Sequence, residues 1–189
     1  RNGSGKTTLV RILAGILAAD RGTAVVTGTV APLFALGTGF HPDLTGREGV
    51  RVELLALGFA PREVDRLLPR VIEFSEIGEF IDAPIRAYSA GMVMRLAFSV
   101  AVRVDPDILL LDEVLAVGDE SFSLKCFAEI ESFRNRGKTI VVVTHDSAKV
   151  EAWCDRALWL DRGNVAADGT PRDVLAAYHD ASGRANNVV

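Results

Sequence analysis

Two uninterrupted apolar runs, "DILLLDE" (107–113) and "KTIVVVTHD" (138–146), restrict what this chain can fold into more than any other feature. A strand with one face in water alternates apolar and polar residues, whereas a run that is apolar at successive positions belongs to a strand covered on both faces. Between the two runs, Glu120 to Arg134 reads as a crossover helix. Strand, helix, strand in that order is the repeating unit of a parallel sheet. The reading is an α/β domain with a mainly parallel core sheet, and 189 residues are about one domain's worth of chain.

The other segments fit that frame with one exception. Thr8 to Ala19 reads as a helix with Leu9, Ile12, Leu13 and Ile16 on one face. "TAVVTGTVAPLF" gives short β-branched runs broken by Gly28 and Pro32. "RALWLDRGNVAADG" reads as a hairpin turning at Arg162-Gly163-Asn164. Thr170 as N-cap and Pro171 in first position open a last helix in "GTPRDVLAAYHDA", and "SGRANNVV" is read as a frayed end. The exception runs from about Thr45 to Arg103: "REGVRVELLALG", "PREVDRLLPRVIEFSEIGEFID" and "AGMVMRLAFSVAVRV" are mostly helical, a helical subdomain inserted in the α/β core.

Bulk properties exclude some functions. A net charge of −4 gives no general attraction to nucleic acid or to an anionic membrane surface. Acids interrupt the apolar runs well short of the ~20 residues that span a bilayer, so for work on a membrane another chain must supply the spanning part. Cys126 and Cys154 lack metal-ligand spacing. With no secretion signal they are read as reduced thiols of a cytosolic protein, small residues of helices in the core.

The chain opens on "RNGSGKTT". A phosphate-binding loop has the pattern G-x-x-x-x-G-K-[ST] between a buried strand and a helix, and Gly5, Lys6 and Thr7 supply its last three positions. Gly3 and Gly5 let backbone N–H groups close around phosphate oxygens, with the helix N-terminus adding its dipole. In that loop Lys6 reaches the β- and γ-phosphates and the Thr7 hydroxyl ligates Mg²⁺. A Gly/Ser turn that only caps a helix is the bland alternative. At the end of the first apolar run, Asp112 is placed to hold Mg²⁺ and Glu113 to polarise an attacking water; an acid there, taken by itself, is more commonly a cap for the segment after the strand. His145, after the second run, is placed to sense a γ-phosphate, or is a neutral residue before a helix capped by Asp146 or Ser147.

The stretch "YSAGMVMRLAFSVAVRVDPDILLLDEVLAVGDESF" resembles the ATP-binding subunits of ABC transporters. Ser89, Ala90, Gly91 and Met92 stand where most of that superfamily has Ser-Gly-Gly-Gln. The Y-S-x-G-M form, with "LGTGFHPDLTGRE" (36–48), "EFSEIGEFIDAPIRAYSAGM" (73–92) and "DEVLAVGDESFSLKC" (112–126), resembles the branch that exports O-antigen, capsular polysaccharide or teichoic acid. The similarity covers nearly the whole chain. It implies a P-loop NTPase fold of the ABC type, ATP and Mg²⁺ as ligands, and a homodimer paired head to tail. ATP is then sandwiched between residues 2–8 (Asn2, Gly3, Ser4, Gly5, Lys6, Thr7, Thr8) of one copy and Ser89–Met92 of the other. Asp119 lies in the segment linking the two sites; it also has the form of an N-cap for the next helix, as Ser89 has for its own. The implied partners are an integral-membrane permease and a lipid-linked polysaccharide, not nucleic acid, with the subunit peripheral on the cytoplasmic face of the inner or plasma membrane.

Three departures from the pattern stand out. The superfamily's coupling loop carries a glutamine, and this chain has none; the position falls near Leu36. Gly37 and Gly39 would let that loop hinge, and Phe34, Leu36 and Phe40 are either contacts for the membrane partner or ordinary core. Gly49 replaces an expected Asn. The upstream strands and the adenine-stacking aromatic are missing, so residues 1–189 are read as a single ABC domain lacking its N-terminal strands, a fragment that by itself binds ATP feebly or misfolds. The competing functions are a mechanical ABC ATPase of DNA repair or translation, for which the chain has neither coiled coil nor second domain copy, and a non-catalytic interaction module.

Overall fold

The computed structural model describes residues 3–35, 37, 39–112 and 119–186. They form two compact units, one of residues Thr27–Val141 and one of Arg1–Val26 with Val142–Val189.

In the first unit, β1 (Val30–Pro32) runs parallel to β2 (Ile108–Asp112), with Val30 beside Ile108 and Pro32 beside Leu110. Strand β3 (Thr139–Val143) follows in the order β1-β2-β3. Successive residues Leu109, Leu110 and Leu111 are all buried, as an unbroken apolar run requires. The Asp107 side chain closes the near end of the pair: it accepts the Thr29 N–H and hydroxyl at 2.9 Å each. Gly28 has φ +107°, and a Cβ there would sit 2.8 Å from the Asp107 Cβ, so glycine is needed on both counts. Helix α5 (Glu120–Asn135) matches the expected crossover, burying Phe122, Cys126, Ile130 and Phe133 along one stripe.

Residues 45–103 hold three helices, α2 (Gly46–Ala56), α3 (Pro61–Ser75) and α4 (Ala90–Arg103), with 3-10 turns at Gly78–Asp82 and Ile85–Ala87. Thr45 caps α2 through a reciprocal box with Glu48. Val50, Leu54, Val64, Leu67, Val71, Leu96 and Val100 form a common apolar core. The helix expected to run through "PREVDRLLPRVIEFSEIGEFID" ends at Ser75, because Glu76 adopts a left-handed conformation (φ 55°). A second aromatic core joins Phe74, Phe98 and Phe122, with ring centroids 5.9–6.4 Å apart.

The other unit contains α1 (Lys6–Leu13), α6 (Ser147–Trp153), the antiparallel hairpin of β4 (Ala157–Asp161) and β5 (Asn164–Gly169), and α7 (Pro171–Asn186). Helix α1 is shorter than Thr8–Ala19. Gly15, at φ +71°, ends it: the Gly15 N–H donates to the Ile12 carbonyl and the Ile16 N–H to that of Arg11. Ile16 is therefore exposed, as is Leu9, and Val10 is the residue α1 buries. The hairpin turns where expected, and Thr170 caps α7 by accepting the Asp173 N–H. Cys126 is buried in α5, but Cys154 is half-buried and lies just past the end of α6. Of "TAVVTGTVAPLF" only Val30–Pro32 is strand. Among the described residues no helix is long and apolar enough to cross a membrane.

Candidate nucleotide-binding site

Gly3 (φ +78°) and Gly5 (φ +95°) both occupy the left-handed region, which lets the chain fold back tightly before α1. Helix α1 starts at Lys6 with Gly5 as its cap, and a glycine cap offers no side-chain acceptor to the first-turn N–H groups. No acid sits in that turn. An anion is what such an end accepts best, because the N–H groups and the helix dipole both favour it. Ser4 is buried, its hydroxyl accepting from the Lys6 ammonium at 3.2 Å and its carbonyl from the Gly163 N–H at 3.1 Å. Thr7 and Thr8 are exposed on the first turn. In the same unit His145 is exposed between β3 and α6. The cap of α6 is Asp146, whose carboxylate accepts the Ala148 and Lys149 N–H groups at 3.0 and 3.4 Å.

The remaining predicted site residues, Asn2 aside, belong to the other unit. Ser89 caps α4, its hydroxyl accepting the Met92 N–H at 3.2 Å, and Ser89 and Ala90 are exposed. Gly91 is half-buried, and the Met92 side chain packs on the apolar core of α2–α4. Asp119 caps α5 by accepting the Phe122 N–H at 2.9 Å, and its second oxygen accepts from Arg95 at 2.7 Å. The Phe122 N–H, followed by Arg95, holds the Asp119 carboxyl below its ordinary range. Asp112 is the last residue of β2. Its side chain, Asn2, Glu113 and Leu36 lie outside the described residues.

Two residues of the Ser89 motif that the sequence reading did not place in the site support the turn. The Tyr88 hydroxyl donates to the Phe80 carbonyl at 2.6 Å, and a Cβ on Gly46 would run into that hydroxyl. The start of α2 thus rests directly on the residue before Ser89. Burial raises the Tyr88 pKa above the usual phenol value, so it stays a donor. Arg95, one turn into α4, is the other. The signals were in the sequence, as an aromatic next to Ser89 and a cation four residues after Gly91, but spacing alone does not name their partners.

The segment with the missing glutamine also becomes clearer. Gly37 (φ +77°) lies close to α4, where an added Cβ would be 2.8 Å from Val93 Cγ1. Phe40 packs on the α2–α4 core, which favours its reading as core. Gly49 is buried in α2, and a Cβ there would lie 2.7 Å from Ile85 Cδ1 and 3.4 Å from the Phe40 ring. A larger residue has no room unless the end of the Ile85 side chain shifts.

Residues 1–116 match the family model described as ABC transporter. The O-antigen export system ATP-binding protein RfbB of Myxococcus xanthus is 51% identical over 96% of this chain, which spans 41% of that protein. The protein of the same name from Klebsiella pneumoniae is 46% identical over 96% of this chain and 74% of its own length. The teichoic acids export ATP-binding protein TagH of Listeria monocytogenes serotype 4b is 41% identical over 95% of this chain and 53% of its own. Among solved structures, the ATP-binding subunit of an ABC transporter superposes with a TM-score of 0.77 at 22% identity, covering 95% of this chain and 79% of that one. A dimeric post-hydrolysis ATP-binding cassette bound to ADP and Pi gives 0.72 at 23%, covering 91% and 83%. These likenesses show the fold: a P-loop NTPase α/β architecture of the ATP-binding cassette type.

Proposed function

We propose a function from one premise: this chain belongs to the ABC transporter family. The chain is the ATP-hydrolysing subunit that powers export of a lipid-linked surface polysaccharide through a separate membrane-spanning partner. The observation that carries this is the glycine-capped N-terminus of α1 with the Lys6 ammonium beside it. It stands in a chain whose relatives RfbB and TagH, at 41–51% identity, are named for O-antigen and teichoic acid export.

In this reading the N–H groups of residues 2–8 and the Lys6 ammonium hold the phosphates of ATP. The Ser89–Met92 turn of a second copy closes on the γ-phosphate, Asp119 couples the two sites, and residues 45–103 form the helical subdomain that carries the turn. Phosphoryl transfer asks the protein chiefly for positioning and charge neutralisation. Glu113 orients and polarises the attacking water, and His145 senses the terminal phosphate. A hydroxyl at Thr7 and a carboxylate at Asp112 are hard oxygen donors, few in number, which suits Mg²⁺ held mainly by water and phosphate. When bound, that cation neutralises charge on the β- and γ-phosphates. In this reading the subunit works peripherally, at the cytoplasmic face, beside its membrane-spanning partner.

The deciding experiment replaces Glu113 by Gln in the protein as its gene encodes it. ATP binding is expected to persist while hydrolysis falls to background and a stable dimer accumulates with Mg-ATP. Unchanged turnover would remove the catalytic assignment. Deletion of the gene is expected to strip the surface polymer from the cell while its precursor accumulates inside, and an intact surface would remove the export assignment.

A further inference from the structure

A loop that binds phosphate with its N–H groups must turn its carbonyls away, and each buried carbonyl needs a donor from elsewhere. For Ser4 that donor is the Gly163 N–H, in the turn between β4 and β5. We propose that the Arg162–Gly163 turn is a positioning element of the phosphate loop, fixing the Ser4–Gly5 peptide and the resting place of the Lys6 ammonium; this rests on the nucleotide-binding reading above.

The peptide bond is planar and trans, so its C=O and N–H point in opposite directions. Holding the Ser4 carbonyl toward Gly163 therefore aims the Gly5 N–H the other way. The Ser4 hydroxyl, on the same anchored residue, accepts from Lys6 at 3.2 Å. One hydrogen bond from the turn thus orients both the donor peptide and the cation. The approach is close, since a Cβ on Gly5 would lie 3.7 Å from the Gly163 Cα.

The turn is itself held. Arg162 (φ 47°) and Gly163 (φ 80°) form a two-residue turn with both residues left-handed. Asn164 donates to the Arg162 carbonyl at 3.3 Å. Farther along the hairpin, Arg156 forks onto Asp168 at 2.8 and 2.6 Å, and the Trp159 ring meets Tyr178 of α7 edge-on at 5.5 Å. Space does not dictate the glycine, because nothing lies within 4 Å of where its Cβ would be. The backbone conformation that presents the N–H does.

The test uses Gly163→Val in the protein as its gene encodes it, because a β-branched residue resists φ near +80° and the turn must re-form elsewhere. Gly22→Val is the matched control: it lies in the same unit, with φ +82° and nothing within 4 Å of where its Cβ would be. Circular dichroism verifies folding, and Gly163→Ala serves as a milder member of the series. The expected result is a Kd and KM for ATP about tenfold higher in Gly163→Val, with kcat within about twofold. Gly22→Val keeps the original Kd. Wild-type affinity in Gly163→Val, or equal weakening in Gly22→Val, overturns the proposal alone. No ATP binding by the unaltered protein overturns the nucleotide reading and this proposal with it.

Discussion

Arg95 donates to one carboxylate oxygen of Asp119 at 2.7 Å, while the other oxygen of Asp119 accepts the Phe122 N–H at 2.9 Å. A single carboxylate thereby caps α5 and ties it to α4, the helix that Ser89 begins. The Arg95 guanidinium also lies over the Phe122 ring at 4.6 Å and reaches Glu76 at 3.7 Å. A shift of the Ser89 turn along α4 is therefore resisted at Asp119 by an ion pair, a ring and a helix cap together.

The two roles of Asp119 separate by substitution. Asparagine caps a helix about as well as aspartate but carries no charge for Arg95. Asp119→Asn should melt slightly below the unaltered protein, and Asp119→Ala lower still, by roughly 2–4 °C overall. Adding Arg95→Ala to Asp119→Ala should cost less than the sum of the single changes. Equal melting of the Asn and Ala variants would mean that the cap contributes nothing.

Gly49 gives a sharper prediction because two effects oppose each other. Alanine is favoured over glycine inside a helix by about 1 kcal/mol. Against that, its Cβ would press on Ile85 Cδ1, and overpacking a core costs about 1–3 kcal/mol. Gly49→Ala alone should be near neutral to about 2 kcal/mol destabilising by urea unfolding. Ile85→Val removes the obstructing methyl, so the same substitution in that background should be stabilising. An identical effect in both backgrounds would show that Ile85 is not the obstacle.

The contrast between legible and illegible features arises from interaction range. Local rules sufficed for Thr170 and Pro171 at the start of α7, for the Arg162–Gly163 turn, and for the buried strand at Leu109–Leu111. They failed at Ile16, because the pattern of apolar spacing does not show that Gly15 will close α1 first, and at Leu9, which α1 leaves exposed while burying Val10. The tight glycine turn before α1 was legible because Gly3, Gly5 and the start of the helix at Lys6 lie within a few consecutive residues. The bond from Gly163 to Ser4, the approach of Tyr88 to Gly46 and the crowding of Gly49 by Ile85 join residues about 36 to 159 positions apart, and spacing along a chain carries no record of such contacts.

Cys126 should be chemically silent. It is fully buried in α5, and burial pushes its thiol up to about 12. At pH 8 only about one thiol in ten thousand would be thiolate, the reactive form. In a Cys154→Ser variant, labelling with a disulfide reagent should therefore proceed at the rate of global opening and accelerate steeply near the urea midpoint. Rapid stoichiometric labelling of the native protein would contradict the packing of Phe122, Cys126 and Ile130.

Acid should unfold the protein in a defined window. Asp82 is held below its ordinary pKa first by Arg47, Asp107 first by the Thr29 N–H and hydroxyl and then by Lys138, and Asp168 first by Arg156; Glu48 is lowered by Thr45. A carboxyl that is more acidic folded than unfolded binds fewer protons in the native state. Its stabilisation is complete above the unfolded value, about 4, and is lost as the pH falls through the lower folded value. Stability should thus be level from pH 7 to about 5 and decline increasingly below about pH 4. Each of these carboxyls is solvent-exposed, so the decline should be gradual and shared rather than a single step. Asp107→Asn removes one titrating group while its amide oxygen can still accept from Thr29. Its urea midpoint should therefore fall less steeply with acid than that of the unaltered protein, and parallel curves for the two would show that Asp107 takes no part.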